Sequence, residues 1–295
     1  MKAFVIAEHA EAASALAAGA RTLADEVAVA VVGSEQVPAN IADAAYHAAV
    51  PEGAAADDAA ATLEALLDDV QVVIAEPVRH VKSIVGKLAA AKGASVITDC
   101  LSIEDGIATS MYFGGVGQIR RKAKSGIAFY TAGAGSFGDA QPSGSNAGAE
   151  ELSWVAPAAA LKLVSSEPIQ KSGVDLNKSD VVVAAGRGFS EEADLDLARA
   201  LCDKIGAGLG CSRPLAEGAG WMPSETYIGV SGLMLSPKVY IAAGISGQMQ
   251  HMVGANRSGT VFAINKDQNA PIFKQCDYGL VGDLKDVLPK ITEAL

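Results

Sequence analysis

Residues 239–284 read VYIAAGISGQMQHMVGANRSGTVFAINKDQNAPIFKQCDYGLVGDL. The apolar runs VYIAA, TVFAIN and YGLV each stop where glycine or a small polar residue takes over. β-Branched and aromatic residues bounded by Gly, Asn and Asp mark buried strands better than helix segments. After VYIAA, Gly244-Ile245-Ser246-Gly247 leads into Gln248-Met249-Gln250-His251. This places the unpaired backbone N–H groups of a helix start beside small residues, which is a seat for an anion. Asn265 and Lys266 end the second run, and Gly282 and Asp283 follow the third. An amide and a carboxylate therefore stand at neighbouring strand ends, where ligands bind in open α/β sheets. The stretch predicts one nucleotide-sized site.

Upstream, VVVAA is an uninterrupted buried strand followed by the turn Gly186-Arg187-Gly188. Ser190 is the expected N-cap of the next helix, with Glu191 and Glu192 in its first turn. Leu195, Ala198, Leu201, Cys202 and Ile205 form that helix's apolar face, so Cys202 reads as core and not as a nucleophile. A short strand then ends in Gly210-Cys211-Ser212-Arg213-Pro214. Tyr227–Val230 reads as another strand, turned by Ser231-Gly232. Downstream, Asp283 caps LKDVLPKITEAL, where Leu284, Val287, Leu288 and Ile291 make one stripe and Pro289 kinks or ends its first part.

The first half of the chain alternates too. KAFVIAE, VAVAVVG and DVQVVIAE read as buried strands between Ala-rich helices over residues 11–22 and 57–67. Pro77 opens a helix whose buried face is Val81, Ile84, Val85 and Leu88, and SVITDC is the strand after it. Such alternation predicts an α/β fold of two three-layer domains with mainly parallel sheets. The domains are expected at 1–165 and 178–295, divided by SSEPIQKSGVDLNKSD. Beyond Asp105 the pattern loosens into strands joined by turns, and Arg120-Arg121-Lys122 with Lys124 reads as a solvated turn. Gly133-Ala134-Gly135-Ser136-Phe137-Gly138 matches G-x-G-x-x-G, but Pro142-Ser143-Gly144 follows where a dinucleotide fingerprint needs a helix. It reads as an extended loop.

At 295 residues the chain is long enough for two cores. With 23 Lys+Arg against 34 Asp+Glu, the net charge of −11 argues against a nucleic-acid partner, and 5% aromatics weaken base stacking. Cys100, Cys202, Cys211 and Cys276 are scattered, without metal-ligand spacing, which fits a reduced cytoplasm. The opening residues read as a strand and not as a secretion signal, because the apolar core of Ala3–Ala7 is interrupted by Glu8 and His9. No run approaches the ~20 residues of a membrane span.

Arg187, Ser212, Arg213, Ser231, Ser246, Gly247, Gln250, His251, Asn265 and Asp283 all fall at ends of expected strands. That set suits a pyrophosphate and several hydrogen-bonding edges, as in a dinucleotide. No G-x-S-x-G elbow, Walker lysine motif or metal cluster accompanies it, so any chemistry belongs to a bound cofactor.

Gly186–Gly188 (GRG), Gly210–Pro214 (GCSRP), Tyr240–His251 (YIAAGISGQMQH) and Phe262–Leu284 together resemble the C-terminal domain of electron transfer flavoprotein α subunits. VITDC and RRKAKSGIAFYTAGAGSF resemble parts of the first domain. LMLSPKVYIAAGISGQMQHMVGANRSGTVFAINKD is most similar to the Fix-type branch, associated with carnitine and related acyl-CoA reduction. The resemblance implies FAD in the second domain, a β-subunit partner packing with the first, and electron traffic with acyl-CoA dehydrogenases or similar proteins. Such a carrier is not an enzyme in the usual sense. By position, Ser246, Gly247, Gln248, Met249, Gln250 and His251 would hold the phosphates and reach the flavin. Arg187 and Asp283 would serve the adenosine and pyrophosphate portion, and Asn265 and Leu284 would also contact the cofactor. Arg213, beside Ser212, would lie by the ring, where a permanent cation favours one-electron reduction. His251 could help through a hydrogen bond to the pyrimidine edge. Many relatives carry Gln-Thr where this chain has Val230-Ser231 against the flavin or its ribityl chain; Ser231 keeps a hydroxyl and Val230 has none. The rival readings are an NAD- or thiamine-diphosphate-dependent enzyme and a non-redox nucleotide-binding regulator.

Overall fold

The computed structural model describes residues 1–113, 117–165 and 174–295. Of the described residues, 1–112 and 117–165 form one compact unit, and Phe113 with residues 174–295 forms the other. Residues 166–173 of the expected junction, including Pro168 and Gly173, lie outside the described residues.

The first unit runs β1 (Lys2–Ala7), α1 (Ala10–Arg21), β2 (Glu26–Val32), β3 (Ala44–Ala48), α2 (Ala60–Leu63), β4 (Val72–Ala75), α3 (Arg79–Ala91), β5 (Val96–Glu104), β6 (Ile107–Tyr112), β7 (Gly117–Lys122), β8 (Ala128–Ala132) and β9 (Glu150–Glu151). The strands form one sheet in the order β7-β6-β5-β8-β4-β1-β2-β3-β9, parallel except for the β5-β6-β7 meander. Alternate residues of β1 feed two cores. Ala3, Val5 and Ala7 pack under α1 with Leu16, Ala17 and Ala20, while Phe4 and Ile6 pack with Leu63, Val81, Ile84 and Leu88 on the opposite face. This two-sided burial explains why the parallel strands read as unbroken apolar runs.

Four sequence expectations change here. The helix over 57–67 is one α turn flanked by two 3-10 turns, Ala56–Ala59 and Glu64–Leu67. Buried Asp58 draws this segment toward neighbours: its carboxylate takes Lys87 Nζ at 2.7 Å and the Leu161 amide at 2.6 Å. Pro77 precedes α3, whose N-cap is Val78. Arg120, Arg121 and Lys122 belong to edge strand β7, where charge discourages further strand pairing, and not to a turn. Ala134–Phe137 is a 3-10 turn instead of an extended loop, and Ser136 Oγ donates to the Cys100 carbonyl at 2.7 Å. The glycine motif thus builds core: a Cβ on Gly19 of α1 would lie 2.2 Å from the Phe137 ring.

Asn146 closes this unit from a loop. Its Oδ1 accepts from the Ile41 and Ala42 amides at 2.8 and 3.0 Å, and its Nδ2 donates to the Pro38 carbonyl at 2.9 Å. Asn146→Leu leaves two buried N–H groups without acceptors, and urea unfolding is expected to show a loss of ~2–4 kcal/mol. A loss below ~1 kcal/mol would show that water reaches those amides.

The second unit runs β10 (Val181–Ala185), α4 (Leu195–Ile205), β11 (Gly208–Cys211), β12 (Val239–Ala243), α5 (Met249–Met252), β13 (Thr260–Asn265), β14 (Tyr278–Val281) and α6 (Leu284–Ala294). Its sheet order is β11-β10-β12-β13-β14, parallel throughout. Val183, Ala185, Ala243 and Ile264 pack with α4 and α6, whereas Val182, Ala184, Tyr240, Ala242 and Ala263 pack with Ile228, Leu235, Met252 and Ile272. Among the described residues, only the first face is covered by long helices.

Three details differ from the sequence reading. Ser190 does not cap α4; a 3-10 turn, Glu192–Asp194, precedes it and Asp194 is the capping position. Tyr227 and Ile228 form isolated bridges to Cys211 and Leu233, not a strand, because Gly229 at φ +149° turns the chain away. The helix α6 runs through Pro289, held by buried Leu288 despite the lost amide. Asp283 does cap it, accepting from the Lys285 amide at 2.9 Å.

Candidate functional site

In the second sheet β10 leads to β11 on one side, and the chain then returns to place β12 on the other. The carboxyl ends of β10 and β12 therefore flank a topological switch point, where open α/β sheets leave a crevice. Two glycine loops meet there. The Gly186 amide donates to the Ala243 carbonyl at 2.8 Å and the Gly188 amide to the Gly244 carbonyl at 2.9 Å. A Cβ on Gly186 would stand 2.3 Å from the Gly244 oxygen, so glycine is required for this approach.

Beside these loops opens a cavity of about 490 Å3. It gathers Arg187 from the end of β10, Ser212 and Arg213 from β11, Ser246, Gln248, Gln250 and His251 from the β12–α5 segment, Asn265 from β13, and Asp283 and Leu284 after β14. Val230 joins them from the turn. Of the residues proposed from sequence, Ser231, Gly247 and Met249 fall outside this lining. Ser231 lies 3.2 Å from the hydroxyl of Tyr227, which does line it. Gly247 is conformational: its φ is +86° and it packs on the Ile272 backbone. Met249 is an exposed residue of α5.

Lys266, Tyr227, Pro214, Asp267, Ala270 and Pro271 also line the cavity, and the sequence does not assign them to the site. The Asn265-Lys266-Asp267 run immediately after an apolar strand was the available signal for the charged pair. Asn265 Nδ2 donates to the Ile245 carbonyl at 2.9 Å and its Oδ1 accepts from the Asp267 amide at 3.0 Å, so this side chain braces two lining loops. Val230 contributes its backbone as well, donating to the Gln250 carbonyl at 2.8 Å.

The lining carries Arg187, Arg213 and Lys266 against Asp267 and Asp283, a local cationic excess in an anionic chain. Arg213 is partly spoken for: its Nε donates to Glu217 at 2.6 Å, with both side chains about half exposed or more (63% and 49%). Two buried polar atoms of the lining have no hydrogen-bond partner, Ser212 Oγ and His251 Nδ1. Buried polar groups are nearly always paired, so both are candidates to bond a ligand, whereas three such atoms outside the cavity, Arg21 Nε, Arg121 Nε and Asp194 Oδ2, are not. Burial holds the His251 pKa down at about 4, against a smaller raising effect of the Ile228 carbonyl. A ring so held is neutral near pH 7. Burial also pushes the Cys202 thiol up to about 12 and raises that of Cys211, which removes both as nucleophiles. Among the described residues no group of His, Cys, Asp and Glu has metal-binding geometry.

Residues 3–158 match the electron transfer flavoprotein domain, and residues 175–256 match the electron transfer flavoprotein FAD-binding domain. The chain belongs to the electron transfer flavoprotein family, as an α subunit of the Fix type. Protein FixB of Escherichia coli O7:K1 (strain IAI39 / ExPEC) is 47% identical over 220 residues, covering 71% of this chain and 70% of the relative. Protein FixB of Escherichia coli O1:K1 / APEC gives the same values. As an electron transfer flavoprotein α chain it carries an FAD-binding domain, and the switch-point cavity with its two unpaired buried atoms fits that cofactor. The family match favours this reading over the NAD- and thiamine-dependent alternatives. Members of the family are electron carriers. Among the described residues no helix is long and apolar enough to cross a membrane.

Proposed function

We propose that this chain is a cytoplasmic electron carrier without substrate chemistry of its own, working as a heterodimer with a β subunit and exchanging electrons with an acyl-CoA dehydrogenase or a similar protein. The first unit, to residue 165, would pack with the β subunit, and residues 178–295 would hold FAD. The observation that carries the reading is the pairing of Ser212 Oγ and His251 Nδ1, buried and unpartnered, in a cavity at a sheet switch point. When bound, FAD supplies the one-electron redox chemistry.

The residues then divide the work by charge. The Arg187 and Lys266 side chains and the first-turn amides of α5 suit the pyrophosphate, since unpaired helix amides and cations both favour anions. Asp283 accepts hydrogen bonds only and suits sugar hydroxyls better than phosphate. Arg213 and His251 would serve the ring, one as a cation and the other as a neutral donor. Val230, with no polar side-chain atom, would contribute shape, while its amide holds the Gln250 carbonyl. The Fix-type resemblance supports a place in acyl-CoA or carnitine-type metabolism.

A purified protein that is yellow and releases flavin on denaturation supports this reading; a colourless one that binds NAD sinks it. Arg213→Ala should make the first one-electron potential of the flavin ~20–60 mV more negative, up to a tenfold change in a one-electron equilibrium. The Glu217 pairing and the exposure of both groups keep the effect modest. Glu217→Gln should shift the potential the opposite way. Unchanged titrations for both variants would place Arg213 away from the ring.

A further inference from the structure

Tyr240, on β12, is fully buried among Met252, Ile228 and Ala255. Its hydroxyl lies 2.7 Å from Nε2 of His251, and this is its one hydrogen bond within the described residues. A phenol has a single proton, and a buried hydroxyl that donates to nothing is costly, so the proton is directed at Nε2. An Nε2 that accepts carries no hydrogen. The neutral imidazole must then bear its proton on Nδ1, a buried atom with no hydrogen bond of good geometry in the protein, although the Ile228 carbonyl lies near enough to the ring to raise its pKa.

We propose that Tyr240 is a positioning residue that fixes His251 in its Nδ1–H tautomer, so that the ring presents a neutral N–H donor to an acceptor edge of the bound flavin. The inference rests on the FAD reading for the identity of the acceptor, whereas the tautomer rests on the Tyr240–His251 geometry alone. The opposite arrangement, an Nε2–H donor with a bare Nδ1, would set a lone pair against an acceptor and repel it. A protonated ring is the other alternative, and burial opposes it, holding the pKa at about 4. The selection has a functional consequence. A neutral donor strengthens its hydrogen bond as the facing acceptor gains negative charge, yet brings no fixed charge into the pocket.

The test uses the full-length protein labelled with 15N-histidine and purified with the flavin and any subunit it retains. Two-bond 1H–15N correlation distinguishes protonated from bare ring nitrogens. The chain has four histidines, and His251→Gln identifies the relevant signals. The wild type should show protonated Nδ1 and bare Nε2, with flavin bound and after its removal. Tyr240→Phe should mix the two tautomers and weaken flavin binding about fivefold to tenfold, the value of one oriented hydrogen bond. A wild-type ring protonated on Nε2 overturns the proposal, and so does an unchanged tautomer in Tyr240→Phe. If Tyr240→Phe fails to fold, the wild-type spectrum decides. A wild type that holds no flavin counts against the FAD reading, while the tautomer is still read directly.

Discussion

Gly247→Ala is expected to cost ~2–5 kcal/mol of stability in the second unit and to leave the protein deficient in flavin. Two terms add. The first is conformational: Gly247 has φ +86°, and a side chain in left-handed geometry costs ~1–2 kcal/mol. The second is steric: a Cβ there would lie 2.3 Å from the Ile272 nitrogen and 2.5 Å from its Cα, and overpacking of this kind costs ~1–3 kcal/mol. Relaxation is blocked because both sides are tied. The Ile272 amide donates to the Ser246 carbonyl at 3.0 Å, and Gln275 Nε2 donates to the Gly247 carbonyl at 2.8 Å. Whatever shift the methyl forces moves the segment that carries Ser246, Gln248 and Gln250 into the cavity. Gly206→Ala is the control. Gly206 also has positive φ, +66°, but no atom lies within 4 Å of its added Cβ, so it should lose only the ~1–2 kcal/mol of conformational strain and keep its flavin. Urea unfolding with a flavin count per chain measures both. Equal losses in the two variants would mean that the approach to Ile272 contributes nothing.

The contrast between these glycines shows what a sequence conveys and what it withholds. Strand positions were legible because parallel strands buried on two faces must be apolar throughout, as in Val181–Ala185 and Val239–Ala243, and because their ends are marked by glycine. That placed the site at the carboxyl edge. For Gly247 the structure adds a conformational role at φ +86° to the ligand contact expected from sequence, and residue type does not separate the two. Tyr227–Val230 reads as a strand because bridge residues share a strand's composition, and Gly229's backbone angle separates them. The pairing of Arg213 with Glu217 was available from the sequence as an i,i+4 spacing. Contacts between elements were not. The hydrogen bond from Tyr240 to His251 joins a strand to a helix through the β12–α5 turn, and nothing in residue types predicts which ring nitrogen it reaches.

Lowering the pH from about 7.5 to about 4.5 should cost the second unit ~2–3 kcal/mol through His251 alone. The sign follows from proton uptake. Burial depresses the folded-state pKa to about 4, whereas the unfolded chain takes up a proton near its model value of 6.5. Between those values the unfolded state binds more protons, so stability present above the unfolded pKa is lost as pH falls toward the folded one. At ~1.4 kcal/mol per unit, the separation supports a loss of this size. Bound flavin accepting from Nδ1 adds to the preference for the neutral ring. His9 in the first unit acts in reverse. The Glu76 carboxylate raises its pKa, so its contribution is present below the unfolded pKa and fades as pH rises through the folded one. With 53% of its side chain exposed, that contribution is small. Asp43 and Asp194, whose pKa values Arg21 and Lys285 lower, give up stability only below the ordinary carboxylate value, under the His251 window. Urea unfolding of wild type and His251→Gln at the two pH values isolates the effect, because glutamine can accept from Tyr240 without titrating. The wild type should lose ~2–3 kcal/mol more than the variant; equal losses would mean that the imidazole is protonated, or reached by water, in the folded protein.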